Sequence, residues 1–181
     1  MDMESEARSE LTVHLATDAG LLAIVAPGEL ALTVDDTWWT DEDSLIAAAN
    51  AGRVVPIETG EGGGYAVRIT FEGLNERERR VAAQSAEFWL RVPEDEEVAV
   101  VTGEELSFPD TPGAATFWAA SGSYNVLVTR LRWTEESDDE ADDEADDDAL
   151  PDYVVRLRPF HGDEDPPGIH YLPDLSIGGD I

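Results

Sequence analysis

Tyr124-Asn125-Val126-Leu127-Val128-Thr129-Arg130-Leu131-Arg132-Trp133 is the stretch on which the fold turns. Tyr124, Val126 and Val128 alternate with Asn125, Leu127 and Thr129, the period of two that marks a strand with one buried face. A second stretch, Tyr153-Val154-Val155-Arg156-Leu157-Arg158-Pro159-Phe160, sets Val155, Leu157 and Pro159 against Val154, Arg156 and Arg158. The two read as partner strands. Between them, residues 138–149 run Asp-Asp-Glu-Ala, Asp-Asp-Glu-Ala, Asp-Asp-Asp-Ala. Like charges this dense cannot pack, so residues 135–150 are expected to form a disordered hairpin loop inside one domain, not a linker between two. Arg130, Arg132, Arg156 and Arg158 flank the loop. They are placed to hold a few of its acids close, at no more than about 1 kcal/mol for each exposed pair.

Working outward, residues 11–17 alternate and read as a strand, Asp18-Ala19-Gly20 as a turn, and 21–26 as a continuous apolar strand ended by Pro27-Gly28. Residues 29–34 fit a further strand or a helical turn. Asp41-Glu42-Asp43-Ser44 ahead of Leu45-Ile46-Ala47-Ala48-Ala49 predicts a short helix with acids at its start, stopped by Asn50 and Gly52. Residues 53–58 and 65–71 read as strands joined into a hairpin by Gly60-Glu61-Gly62-Gly63-Gly64. Asn75-Glu76-Arg77-Glu78 carries the cap-and-acid signature of a helix running to about Ser85. Residues 88–92, 98–102 and 115–119 complete the strands. The similar segments Gly64-Tyr65-Ala66-Val67 and Ser123-Tyr124-Asn125-Val126 are turn-to-strand grammar, not an architectural repeat.

Eight or so short strands with two brief helices predict an all-β antiparallel sandwich or barrel-like domain. The alternative is an α+β fold with one antiparallel sheet and the Glu76 helix packed across it. Residues 1–10, polar and acidic, are expected to be a disordered tail, and 11–181 a single domain.

The 181 residues contain 41 acids and 11 basic residues, every one an arginine, for a net charge of -30. Residues 135–152 hold 12 acids and no base, so the remaining 29 acids against 11 arginines still leave -18. A surface this negative repels itself and is stabilised by counterions. Nucleic acid and anionic membranes are poor direct partners, because binding them requires cations to neutralise phosphates; a basic protein is the natural complement. The lysine-free, carboxylate-crowded composition also resembles the proteins of extreme halophiles, in which acidity serves the solvent. The absence of cysteine excludes disulfides and thiolate metal sites. No charged-then-apolar leader opens the chain, and no apolar run approaches the roughly 18 residues of a membrane span. These features point to a soluble cytoplasmic protein.

Signatures of catalysis are scarce. Gly-x-Ser-x-Gly does not occur, and Gly60 to Gly64 lacks the lysine and hydroxyl of a phosphate loop while carrying an acid. His161 and His170 with a nearby carboxylate are the candidates for a metal-assisted hydrolase, although their spacing matches no zinc signature. No cofactor is implied, and the expectation is a protein that is not an enzyme.

The most unusual local feature is Asp35-Asp36-Thr37-Trp38-Trp39-Thr40-Asp41-Glu42-Asp43. On a strand, adjacent tryptophans point to opposite faces, one into the core and one outward. An outward indole ringed by acids can seize an arginine- or lysine-rich surface through cation–π contact and charge. The structural alternative places both indoles over the edge of the core. Trp89, Trp118 and Trp133 read as core. Asp35, Asp36, Trp38, Trp39, Asp41, Glu42 and Asp43 are therefore the candidate partner-binding residues.

The order of features across residues 12–43, 64–103 and 121–133 is an apolar strand pair, Trp-Trp with acids, a glycine-loop hairpin and late Tyr-x-Val strands. It resembles the small β-rich bacterial toxin-immunity and nuclease-inhibitor proteins. The resemblance implies a stoichiometric binding protein and carries over no site residue. The leading expectation is a non-enzymatic acidic domain that binds a basic protein. The alternative is a halophilic accessory domain whose acidity is solvent adaptation.

Overall fold

The protein's computed structural model describes residues 10–27, 38–94, 97–107, 116–132, 150–160 and 165–176. Along them run β1 (Glu10–Thr17), β2 (Leu21–Val25), α1 (Glu42–Asn50), β3 (Val54–Glu58), β4 (Gly63–Thr70), α2 (Glu76–Val81), β5 (Ala82–Val92), β6 (Glu97–Thr102), β7 (Thr116–Trp118), β8 (Gly122–Leu131) and β9 (Tyr153–Pro159). Two 3₁₀ turns, Trp38–Thr40 and Glu104–Ser107, complete the set. The expectations for residues 1–9 and 29–34, for Asp35, Asp36, Ala115, Trp133 and His161, and for the acidic run through Ala149 lie outside the described residues.

The strands form two sheets, ordered β1-β4-β9-β8-β5 and β3-β2-β6-β7. Their edge strands differ, so the assembly is a sandwich and not a closed barrel. β8 and β9 pair antiparallel from Tyr124 opposite Pro159 to Arg130 opposite Tyr153, as their alternation predicts. Val126 and Val128 of β8, Val155 and Leu157 of β9, and Leu22, Ile24, Val55, Ile57, Val98 and Val100 of the other sheet are buried in one core between the sheets. Each such side chain contributes about 1.5–3 kcal/mol by leaving water. β4 and β9 are a parallel pair, unlike the other ladders.

β2 is buried along its whole length because it is covered on both faces. Leu22 and Ile24 enter the central core, while Leu21, Ala23 and Val25 meet Leu45, Ala48 and Ala49 of α1 in a second cluster. A strand covered twice has no polar face to show, which is why its sequence is a continuous apolar run.

The glycine segment after β3 does not close a hairpin. β4 pairs with β1, ending at Thr17 opposite Gly63, whereas β3 pairs with β2, beginning at Leu21 opposite Glu58. One long ribbon therefore bends at this point and passes from the first sheet into the second. Gly20 (φ 68°) and Gly60 (φ 81°) take left-handed backbone at the bend. A Cβ on Gly62 would lie 3.0 Å from the carbonyl oxygens of Thr17 and Asp18. Thr59 N–H donates to the Gly20 carbonyl at 2.9 Å and ties the inner corner. Glycines mark a sharp bend in either topology, and which strand β3 pairs with is decided by long-range burial.

The helix from Asn75 is shorter than expected. Its capping box forms in full between Asn75 and Glu78, but α2 stops at Val81 and Ala82 is extended (φ -62°, ψ 123°). From there Ala82 lies opposite Leu131 and Ser85 opposite Thr129, so pairing with β8 overrides the helical preference of the alanines. The tryptophans differ too. Trp118 is 51% exposed on edge strand β7, where its neighbour Phe117 takes the inward position. Trp89 is half-buried, and its indole N–H donates to the Asn50 carbonyl at 3.0 Å. No helix among the described residues is long and apolar enough to cross a membrane.

Candidate functional site

Trp38 to Asp43 lie in the 3₁₀ turn and the capped first turn of α1, not in a strand. Both indoles are half-buried and both pack against the second core cluster. Trp39 comes so close that a Cβ on Gly103 would sit 3.1 Å from its ring. Of the two arrangements the sequence allows, the structure has both indoles covering the core edge, each leaving part of its surface open. A 3₁₀ turn separates successive side chains by about 120°, so adjacent residues need not face opposite ways.

Asp41 caps α1. Its carboxylate accepts from the Ser44 amide at 2.9 Å and from the Ser44 hydroxyl at 2.6 Å. Those bonds, the hydroxyl's first, hold the exposed carboxyl below its ordinary range. Glu42 and Asp43 follow as exposed acids of the first helical turn, where the helix dipole favours negative charge.

Two further carboxylates come from elsewhere in the chain. Glu58, at the end of β3, forms an isolated parallel bridge with Asp174 of the C-terminal segment. Burial pushes the Glu58 carboxyl up, and the Glu42 and Asp174 carboxylates push it further. Asp174 is held low by the Ser176 hydroxyl and amide, the amide at 3.0 Å. Glu58 therefore feels carboxylates from two other elements, while the Arg130 guanidinium also acts on Asp174 and helps to hold it low. Among the described residues, the ion pairs join Arg68 to Glu10 and Glu78 and Arg80 to Glu76, away from this group. Such an arrangement is a sink for positive charge beside two indole surfaces.

Sequence reasoning reached Trp38, Trp39, Asp41, Glu42 and Asp43 but missed Glu58 and Asp174. Nothing in the local sequence of either marks it among the other acids. Their convergence follows from a bridge between residues more than a hundred positions apart.

The histidines do not assemble a metal centre among the described residues. His14 is exposed on β1 and His170 is exposed in the C-terminal segment, while His161 lies outside the description. No group of three or more histidine and carboxylate side chains among the described residues could hold a metal ion.

The fold has counterparts among solved structures. One is a protein described as crocagin biosynthetic gene J, with a TM-score of 0.54 at 17% identity over 83% of this chain and 96% of that one. Another is ComJ of Bacillus subtilis, described as an inhibitor of the DNA-degrading activity of NucA, with a TM-score of 0.50 at 9% identity over 83% and 96% of the two chains. At these identities the likeness is one of fold. No curated protein matches the sequence. A family model matches residues 9–140, and the chain belongs to that family of unknown function (DUF6386).

Proposed function

We propose that this protein is a non-enzymatic, stoichiometric binding partner of a basic protein, of the inhibitor or immunity type. Its docking face consists of Asp35, Asp36, Trp38, Trp39, Asp41, Glu42 and Asp43, extended by Glu58 and Asp174. The observation that carries the reading is the convergence of Glu42, Glu58 and Asp174 beside two half-buried indoles. The Glu42 and Asp174 carboxylates raise the energy of an ionised Glu58, and an incoming arginine or lysine relieves that repulsion. The indoles offer flat surfaces on which a guanidinium stacks. The fold shared with ComJ, described as an inhibitor of a DNA-degrading activity, supports the reading because such a protein works by occupying another. The overall charge of -30 adds attraction at a distance for any basic partner.

The test begins with affinity capture of basic proteins by the full chain, followed by titration calorimetry with the captured partner. Two double variants with the same net charge are then compared. Glu42→Arg with Asp43→Arg alters the proposed face and leaves the Asp41 cap intact. Glu72→Arg with Glu87→Arg makes the same charge change elsewhere. The proposal expects at least a tenfold loss of affinity, about 1.4 kcal/mol, for the first pair and little for the second. Equal losses would mean that only total charge matters, and the face would be abandoned.

A further inference from the structure

A group of the chain's arginines gathers beside α2. Two clefts lie beside α2, and the described residues that line them include five arginines and no acid. In a chain where more than one residue in five is acidic, fourteen described lining positions without a carboxylate mark a locally basic surface, with Glu76 paired to Arg80 at the rim of the second cleft.

The first cleft, of about 290 Å³, lies on the outer face of the β1-β4-β9-β8-β5 sheet beneath the segment leading into α2. Leu127, Thr129, Val154 and Arg156 form its floor, and Leu74 and Arg79 its wall. Val154 and Thr129 are buried even though they point away from the central core. The Thr129 hydroxyl is already engaged with that of Ser85 at 2.9 Å. Arg79 is anchored at the rim by its Nε, which donates to the Leu74 carbonyl at 2.9 Å. Arg156 is exposed, and among the described residues its side chain has no ion-pair or hydrogen-bond partner. Glu87 on β5 lies directly opposite Leu127, one strand further from Arg156, and no ion pair joins Glu87 to Arg156.

We propose that this cleft binds an amphipathic carboxylate, with its apolar part on Leu74, Leu127 and Val154 and its carboxylate between Arg79 and Arg156. A guanidinium presents parallel N–H donors that match a planar carboxylate, and an apolar floor beside it lowers the competing hydration. A polyphosphate chain would carry many charges into the field of a -30 protein. One carboxylate meets that field screened over about 8 Å and gains its contacts at short range. This site is independent of the docking face at α1, which lies on the other sheet, and either can fail alone.

The test is amide chemical-shift titration of the full chain with four probes. Octanoate and octanol distinguish a free acid from its neutral analogue, and acetyl-Gly-Gly-Leu and its C-terminal amide do the same for a peptide terminus. The expected result is that one or both carboxylates shift Leu74, Leu127 and Val154 while the neutral analogues do not, and that Arg156→Gln weakens binding about tenfold. That variant removes an exposed side chain, so the fold survives it, and unchanged shifts elsewhere in the spectrum verify this. Equal binding of octanol, unaltered affinity in Arg156→Gln, inorganic phosphate binding as well as octanoate, or no shifts at millimolar probe would each overturn the assignment.

Discussion

Glu78 on α2 and Arg68 on β4 meet through two parallel hydrogen bonds, Nε to Oε1 at 2.7 Å and Nη2 to Oε2 at 2.5 Å. Glu78 is only 1% exposed, and the same carboxylate accepts the Asn75 amide at 2.8 Å. One side chain therefore starts a helix and pins it to the sheet. Removing the cation strands a buried charge, so Arg68→Ala is expected to cost about 3–5 kcal/mol in urea unfolding. A loss under about 1 kcal/mol would show that water replaces the arginine without difficulty.

Glu104 closes the bend between β1 and β2. Its carboxylate accepts the Asp18 and Ala19 amides at 2.8 and 2.6 Å and a Thr17 hydroxyl hydrogen bond at 3.1 Å. Partial burial opposes its ionisation, but the bonds it accepts prevail and hold its carboxyl below the usual range. A carboxyl lowered by folding contributes stability above its unfolded pKa, and that contribution disappears as pH falls through the folded value. Glu104→Ala should cost about 1–2 kcal/mol near neutrality and flatten that part of the acid-unfolding profile. An unchanged profile would assign the acid sensitivity to other carboxyls.

Glu58 has the opposite sign. Its carboxyl is raised by burial and by the Glu42 and Asp174 carboxylates, so the protonated form suits the fold. Its contribution is fully present below the unfolded pKa and is lost as pH rises through the folded one. Glu58→Gln should therefore raise the Tm at pH 7 and leave it unchanged near pH 3. A lower Tm at pH 7 would mean that the ionised carboxylate stabilises the corner.

Gly52 follows α1 with φ 70°, and a Cβ there would stand 2.8 Å from the six-membered ring of Trp89. Gly52→Ala is expected to lose about 1–3 kcal/mol and to displace an indole whose N–H is bonded to Asn50, visible in its fluorescence. On β7, Phe117→Ala should cost about 3–5 kcal/mol, because the ring is 3% exposed. Trp118→Ala should cost less than about 1 kcal/mol, because that ring is half in water. Similar values for the two would mean that the edge strand packs through both faces.

Parts of this architecture are written in short-range patterns. The alternation of residues 124–131 and 153–159 specifies both strands and their pairing, and Asp41 and Asn75 announce their helices through cap chemistry that needs only three following residues. The bend at Gly60 escaped, because glycines mark a tight hairpin and a sheet-to-sheet corner alike. The end of α2 escaped because Ala82 and Ala83 suit a helix until β8 arrives beside them. At the acidic face, Trp38 to Asp43 stand out as a local oddity. Glu58 and Asp174 do not, since only the β3 bridge to the C-terminal segment brings them near.

β9 occupies the middle of its sheet, parallel to β4 on one side and antiparallel to β8 on the other. On the ribosome, the β1–β4 ribbon and the β5–β8 pair emerge first, and neither can complete the sheet. Each holds an unpaired strand edge until residues 153–159 have been translated, and unpaired edges are where nascent chains stick to one another. The twelve acids of residues 135–152 are synthesised immediately before that last strand. By Asp152 the chain already carries 36 acids against 9 arginines, a net charge of -27 that sets nascent chains against one another while those edges are still open.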